Sequence, residues 1–186
     1  SQLLILVQTY LLAPDCKQGQ QQRTGGLSIA GKPCCSRTDD AAMNTAISSV
    51  NTTLNNSVGY RASPDRWEAA DIGGTGDCKA IALGKQIRLS AAGFDTGLCT
   101  VATPSGEGHC VLCVREGNEW WVLDNLVLDI KRPTETPYRW YLMQDGKRWR
   151  YVVWLRVFGR TIRLLGLKAP SPPGWDDYLA RVAAGR

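Results

Sequence analysis

The 186-residue sequence contains a single histidine, His109, and no apolar run long enough to cross a bilayer. Its apolar stretches near the start, Leu3–Val7 and Tyr10–Ala13, are much shorter than the ~20 residues that a transmembrane helix needs. One histidine excludes a metal site built on several histidines. It also means that any mechanism that pairs a cysteine with a histidine must use His109. No transmembrane segment is predicted.

Charge is unevenly distributed along the chain. The net charge is +5, but residues 131–186 carry 12 Lys/Arg against 4 Asp/Glu, while residues 1–130 carry 10 against 13. The basic residues alternate with tryptophans and tyrosines, a combination that can bind nucleic acid or an anionic membrane. No Cys/His finger or RNA-binding motif accompanies them, so the favoured interpretation is a solvated strand face without nucleic-acid binding. A binding module that uses this basic aromatic region is one alternative function.

The seven cysteines are an odd number, so at least one is unpaired or pairs between chains. Cys110 and Cys113 form a C-x-x-C motif, but a zinc site would need a second, suitably spaced pair, and adjacent Cys34–Cys35 does not supply one. Positions three apart on a strand also point to opposite faces. Gly73–Gly76 precedes a helix but lacks the Gly-Lys-Ser/Thr of a phosphate-binding loop.

The order of predicted elements indicates an α+β domain in which helices pack on an antiparallel sheet. The first helix is predicted over 40–57 after N-cap chemistry at Thr38–Asp40, and the second from Asp77 or Cys78 to about Ala92, with Gly93 as C-cap. Two-residue turns at Gly117–Asn118 and Asp145–Gly146 predict hairpins. The predicted strands are Leu98–Thr103, His109–Arg115, Glu119–Leu128, Tyr138–Met143 and Arg148–Val157. A Pro-rich linker over 170–174 and a helix over 175–184 are predicted to follow.

Three regions are predicted along the chain. Residues 1–39 form a loop-rich N-terminal segment, residues 40–160 form the main domain, and residues 161–186 form a basic, proline-containing C-terminal tail.

Cys78 is the candidate nucleophile. The glycine-rich run before it ends at a predicted helix start, where free backbone amides and the positive end of the helix dipole favour a thiolate. The same amides can stabilise the oxyanion that forms when a thiolate attacks a carbonyl. The backbone amide of Cys78 is therefore the candidate oxyanion donor.

The predicted hairpin brings a carboxylate close to His109. If Gly117–Asn118 forms a two-residue turn, Val111 lies opposite Asp124, and His109 shares a face with Val111. His109 and Asp124 are then diagonal neighbours, about 7–8 Å apart at the backbone, within reach of an imidazole–carboxylate hydrogen bond. Asp124 can hold one ring nitrogen while the other serves Cys78.

This order of cysteine, histidine and aspartate, on a helix start and two following strands, resembles the transglutaminase-like fold. It is most similar to the bacterial transglutaminase-like cysteine peptidases of the LapG type. The resemblance covers roughly residues 43–155, and the matching stretches are Asp65–Trp67, Gly76–Cys78, Gly106–Leu112 and Val122–Leu126.

The resemblance implies a papain-like or transglutaminase-like core and a cysteine peptidase. It makes Cys78 the nucleophile, His109 the general base and Asp124 its orienting partner, with a thioester intermediate. Trp67 and Asn125 join Cys78 as candidate oxyanion or substrate-binding residues. The same triad would also serve a transglutaminase or amidase.

The resemblance further implies a protein or peptide substrate and a location in the periplasm or outside the cell, with a cytoplasmic location left open. A monomer is expected. Family members of this type bind calcium through acidic residues around the catalytic cysteine. Asp77 is a candidate calcium ligand here, but Lys79 and Ala80 stand where the family has acidic residues, and a lysine offers calcium no oxygen. No cofactor is therefore predicted, and Lys79 is expected to favour the thiolate through its charge.

Overall fold

A computed structural model describes residues 37–63 and 66–185, with side chains from Thr45 onward. Most of the predicted segment 1–39, and Asp65, lie outside the described residues. Within them, three α-helices span Arg37–Ser57 (α1), Cys78–Ala91 (α2) and Trp175–Ala183 (α3). Helix α1 begins three residues before its predicted start, so the expected cap at Thr38–Asp40 falls inside the helix. None of these helices is long and apolar enough to cross a membrane.

Two sheets are formed by the described residues. A short parallel pair, β1 with β2, leads into α2, and a six-stranded antiparallel sheet has the order β5-β4-β3-β6-β7-β8. The strand bounds are Gly59–Tyr60 (β1), Thr75–Gly76 (β2), Asp95–Ala102 (β3), Gly108–Glu116 (β4), Glu119–Leu123 (β5), Arg139–Asp145 (β6), Arg148–Val157 (β7) and Arg160–Ala169 (β8), with a 3₁₀ helix at Pro133–Glu135. The predicted α+β class is confirmed.

The hairpin of β4 and β5 has the predicted register. Glu116 pairs with Glu119 and Leu112 pairs with Leu123 across the Gly117–Asn118 turn. Gly117 has a φ of 57°, in the left-handed region that a tight hairpin turn requires. This register decides which side chains of β4 face the residues that follow β5.

The second hairpin differs by one residue from its prediction. Asp145 pairs with Arg148, so the turn is Gly146–Lys147 and not Asp145–Gly146. Gly146 still occupies a left-handed position, with φ of 61°. The strands on both sides were predicted.

The C-terminal region contains a strand that was not predicted. Residues 161–169, assigned above to a tail, continue β8, which pairs with β7 along its length. The connecting turn places Phe158 and Gly159 at positive φ, 49° and 79°. Phenylalanine rarely adopts this conformation, so the turn carries no conventional signal. The predicted terminal helix is present as α3, and the three-part division of the chain stays a prediction.

Helices α1 and α2 cover one face of the six-stranded sheet, as predicted. The core between the two layers includes Ile47, Leu83, Leu89, Leu98, Leu112 and Leu123. On the other face the sheet curves, so that its edge strands approach each other and the Thr161 amide donates to Glu119 Oε2 over 3.3 Å. A second cluster fills that curve: Cys99, Val101, Val111, Cys113, Trp120, Met143, Val152 and Trp154. The active-site candidates lie where α2 meets the sheet.

Candidate active site

Cys78 is the first residue of α2. Asp77 caps the helix, because its Oδ1 accepts a hydrogen bond of 3.0 Å from the Ala80 amide. A Cβ at Gly76 would lie 2.6 Å from the Ala80 Cβ, so a larger residue would push the chain away from the helix start. The Cys78 thiol is free and half-buried. As the first helical residue, its amide has no carbonyl partner within the helix.

His109 lies on β4 and contacts Asp124, which directly follows β5. The distance from His109 Nε2 to Asp124 Oδ1 is 2.8 Å, and both side chains are buried. Burial alone would lower the pKa of His109, but hydrogen bonds to Asp124 and Cys78, and their negative charges, raise it to about 9. Because Nε2 is taken by Asp124, Nδ1 is the nitrogen left for Cys78.

Asp124 has two further hydrogen-bond donors. The Tyr138 hydroxyl donates to Oδ2, and the Leu126 amide donates to Oδ1 over 2.9 Å. Burial would raise the pKa of Asp124, but these bonds and the one to His109 lower it, so Asp124 is a carboxylate near neutral pH. Burial and the bond to Asp124 raise the pKa of Tyr138. The sequence placed Tyr138 on a strand but did not predict this contact.

The main-chain carbonyl of Asp124 is held by a buried polar group that was also not predicted. Lys85 Nζ donates to this carbonyl over 3.1 Å and to Asn51 Oδ1 over 2.7 Å. Asn55 Nδ2 donates to the same carbonyl over 2.6 Å. Burial lowers the pKa of Lys85 to about 7, partly opposed by the charge of Asp124. Helices α1 and α2 are thereby tied to the residue that is hydrogen-bonded to His109.

Cys78 and His109 line one cavity of about 270 Å³. Trp67, predicted to bind substrate, also lines it, whereas Asn125 does not. The assignment of Trp67 and Asn125 to substrate binding stays a prediction. Other lining residues are Val101, Tyr141, Pro172 and Pro173.

The other described cysteines are fully buried. Cys110 and Cys113 belong to the two clusters on opposite faces of the sheet, as a spacing of three on a strand predicts. Burial raises the pKa of the Cys110 thiol well above its ordinary range. Cys113 Sγ lies 3.5 Å from Cys99 Sγ. Within residues 37–63 and 66–185, no three His, Cys, Asp or Glu side chains are grouped as a metal site would require.

The residues around Cys78 do not fit calcium. Asp77 uses Oδ1 for the Ala80 amide, and its Oδ2 accepts a hydrogen bond from the Lys79 ammonium. The same ammonium donates to the Ser63 carbonyl over 2.9 Å. The Lys79 ammonium therefore already occupies the position between Asp77 Oδ2 and the Ser63 carbonyl. Calcium requires six to eight oxygen ligands, and a lysine supplies none.

Comparisons with solved structures support the fold, and a family model identifies the family. The structure is similar to that of EGTA-treated LapG from Legionella pneumophila, with TM-score 0.57 and 20% identity, over 76% of this chain and 83% of that chain. Calcium-bound LapG gives TM-score 0.54 and 18% identity, over 77% and 84%. None of the curated proteins searched by sequence matches the chain. The family model described as bacterial transglutaminase-like cysteine proteinase matches residues 16–160, so the chain belongs to this family and is a cysteine peptidase.

Proposed function

We propose that this peptidase cleaves a protein or peptide chain with Cys78, His109 and Asp124 as its catalytic triad. The observation that carries the proposal is the buried pair of His109 and Asp124, joined over 2.8 Å, with His109 and Cys78 in the same cavity. Nucleophile, base and orienting carboxylate thus come from α2, β4 and the end of β5.

The raised pKa of His109 defines the resting protonation state of this site. At about 9, it keeps the imidazole protonated at neutral pH. A protonated imidazole beside Cys78 favours the thiolate, which is the nucleophilic form of cysteine. The ionised Asp124 balances the imidazolium charge and fixes the ring orientation.

The reaction then proceeds in two acyl-transfer steps. Cys78 Sγ bonds to the peptide carbonyl carbon, and the carbonyl oxygen becomes an oxyanion near the Cys78 amide. When the C–N bond breaks, His109 gives its proton to the leaving amine and a thioester remains on Cys78. A water molecule, deprotonated by His109, attacks the thioester. The C–S bond breaks, the carboxylic acid is released, and Cys78 is left as a thiolate beside the protonated His109.

Transfer to an amine instead of water would use the same thioester, as in a transglutaminase or amidase. We favour hydrolysis because the family to which the chain belongs is one of proteinases. A monomeric enzyme in the periplasm or outside the cell, acting without calcium, is part of the same proposal.

Two substitutions test the triad. We expect Cys78→Ala and His109→Ala each to abolish cleavage of a proteome-derived peptide library, measured by mass spectrometry, with a wild-type circular dichroism spectrum. The control is Cys113→Ala, a buried cysteine that does not line the cavity, which should retain cleavage.

Iodoacetamide tests the nucleophile without a substrate. At neutral pH we expect Cys78 to be alkylated first among the thiols, and much more slowly in His109→Ala. Cleavage by Cys78→Ala at the wild-type rate would refute the assignment.

A further inference from the structure

One wall of the active-site cavity comes from beyond the part of the chain that the family model matches. The match ends at residue 160, whereas Pro172 and Pro173 line the cavity together with Cys78 and His109. These prolines lie between β8 and α3. Their rings leave the backbone little freedom, so they form a stiff surface beside the nucleophile.

Hydrogen bonds on both sides of Trp67 hold this segment in place. Trp67 Nε1 donates to the Pro173 carbonyl over 2.9 Å. Arg181, on α3, donates from Nη2 to the Trp67 carbonyl over 2.6 Å. The chain bends between the prolines and α3 at Gly174, whose φ of 74° favours glycine.

Aromatic packing completes the attachment. The buried Trp175 ring meets Trp67 edge-on, with centroids 5.0 Å apart, and meets Trp149 at 5.4 Å. Such pairs stabilise beyond their buried area. Trp175, the first residue of α3, is thus packed against both Trp67, which lines the cavity, and Trp149 on β7.

The cavity offers no free charge to a substrate side chain on this wall. Apart from Cys78, His109 and Lys79, the cavity is lined by uncharged residues: Trp67, Thr100, Val101, Gly108, Cys110, Tyr141, Pro172 and Pro173. Lys79 also lines the cavity, but its ammonium is bonded to Asp77 and to the Ser63 carbonyl. A charged side chain placed here would lose hydration without gaining a partner, which disfavours its binding.

We propose that Pro172 and Pro173 form a specificity-determining wall that selects an uncharged, apolar side chain beside the scissile bond. This inference rests on the proposed function, because it takes the cavity at Cys78 as the substrate site. The substrate is then a peptide segment that is apolar next to the cleaved bond, and the C-terminal segment contributes to its selection.

Charge substitutions at Pro173 test the wall. Pro173 is exposed. Its main-chain carbonyl accepts the hydrogen bond from Trp67, and any substituted residue keeps that carbonyl. The probes are three peptidyl acyloxymethyl ketones that carry Leu, Glu or Lys next to the reactive group. The readout is the rate of Cys78 labelling by intact mass.

Wild-type protein should react fastest with the Leu probe. Pro173→Asp should raise the ratio of Lys to Glu labelling by about fivefold, and Pro173→Lys should lower it by about as much. Opposite changes from one position cannot arise from general misfolding. Matched substitutions at exposed Pro170, which does not line the cavity, should leave the ratio unchanged.

Two outcomes separate this inference from the proposed function. If Cys78 reacts preferentially with iodoacetamide but both Pro173 variants keep the wild-type ratio, the wall does not contact substrate and the inference is wrong. If Cys78 shows no preferential reaction in wild-type protein, the triad itself is refuted.

Discussion

The substitution Asp124→Asn removes one negative charge from a buried position and keeps the size of the side chain. In the wild-type protein, the carboxylate accepts hydrogen bonds from His109, from Tyr138 and from the Leu126 amide. A carboxamide has only one oxygen, so its NH₂ group must face one of these donors. The imidazolium of His109 loses its main stabilising partner.

The magnitude follows from the pKa of His109. The rise in the pKa of His109 from the ordinary 6.5 to about 9 corresponds to a free energy of about 3 kcal/mol that favours the protonated ring. Burial opposes that charge and remains in the variant, while the charge of Asp124 is gone. We therefore expect the pKa of His109 to fall below about 7 in Asp124→Asn, so that most rings are neutral near pH 8.

His109 is the only histidine, so labelled histidine gives one imidazole signal that NMR can follow from pH 5 to pH 10. Iodoacetamide alkylation of Cys78 near neutral pH should slow in parallel. The matched control is Asp129→Asn, whose side chain is 79% exposed and lies 4.0 Å from Lys131. A wild-type midpoint near 6.5, or one that Asp124→Asn leaves unchanged, would refute the reasoning.

Two further predictions concern Lys85 and calcium. Lys85 has a pKa of about 7 in the folded protein, below its ordinary 10.5, so the free energy of unfolding rises with pH between these two values. His109 has a pKa raised from 6.5 to about 9, so its contribution to the free energy of unfolding falls as the pH rises between these two values. In Lys85→Met only the His109 effect remains, so the free energy of unfolding from urea titrations should decrease between pH 7 and pH 9. It should stay flatter in wild-type protein and in the exposed control Lys131→Met, and parallel curves for all three would contradict this. Neither EGTA nor millimolar calcium should change Tm or the alkylation rate of Cys78, because Asp77 is already bonded; a calcium-induced rise of several degrees in Tm would count against it.

The contact between His109 and Asp124 could be predicted because a two-residue hairpin turn fixes every pairing that precedes it. The Gly117–Asn118 turn is a strong local signal that fixes which residues pair across the hairpin. Because side chains alternate between the two faces of a strand, the pairing also fixes which side chains share a face. Cys78 could be placed at a helix start for a similar reason, since the glycine-rich run ends there. Both inferences need only short-range geometry.

The hydrogen bonds that support the proposed triad depend on contacts between distant segments. Asn51 and Lys85 are 34 residues apart, and no local pattern pairs them. One signal was present: Lys85 lies between Ile81 and Leu89 at helical spacing, so it shares their buried face. A lysine in that position requires a buried partner, although the sequence does not say which.

The C-terminal strand was missed for a different reason. Its burial does not alternate along β8, because four consecutive residues from Ile162 are partly buried. The Phe158–Gly159 turn also lacks the Asn-Gly or Asp-Gly signal. The chain therefore looked like a basic tail, and the route that brings Pro172 and Pro173 to the cavity could not be foreseen.

The Cys78 sulfur and the His109 imidazole belong to different layers of the molecule. A slight slide of α2 across the sheet would separate Cys78 from His109 with all helices and strands intact. Lys85 opposes such sliding, because its ammonium projects from α2 and donates a hydrogen bond to the Asp124 carbonyl. Urea that breaks this contact should therefore stop cleavage reversibly before the secondary structure is lost.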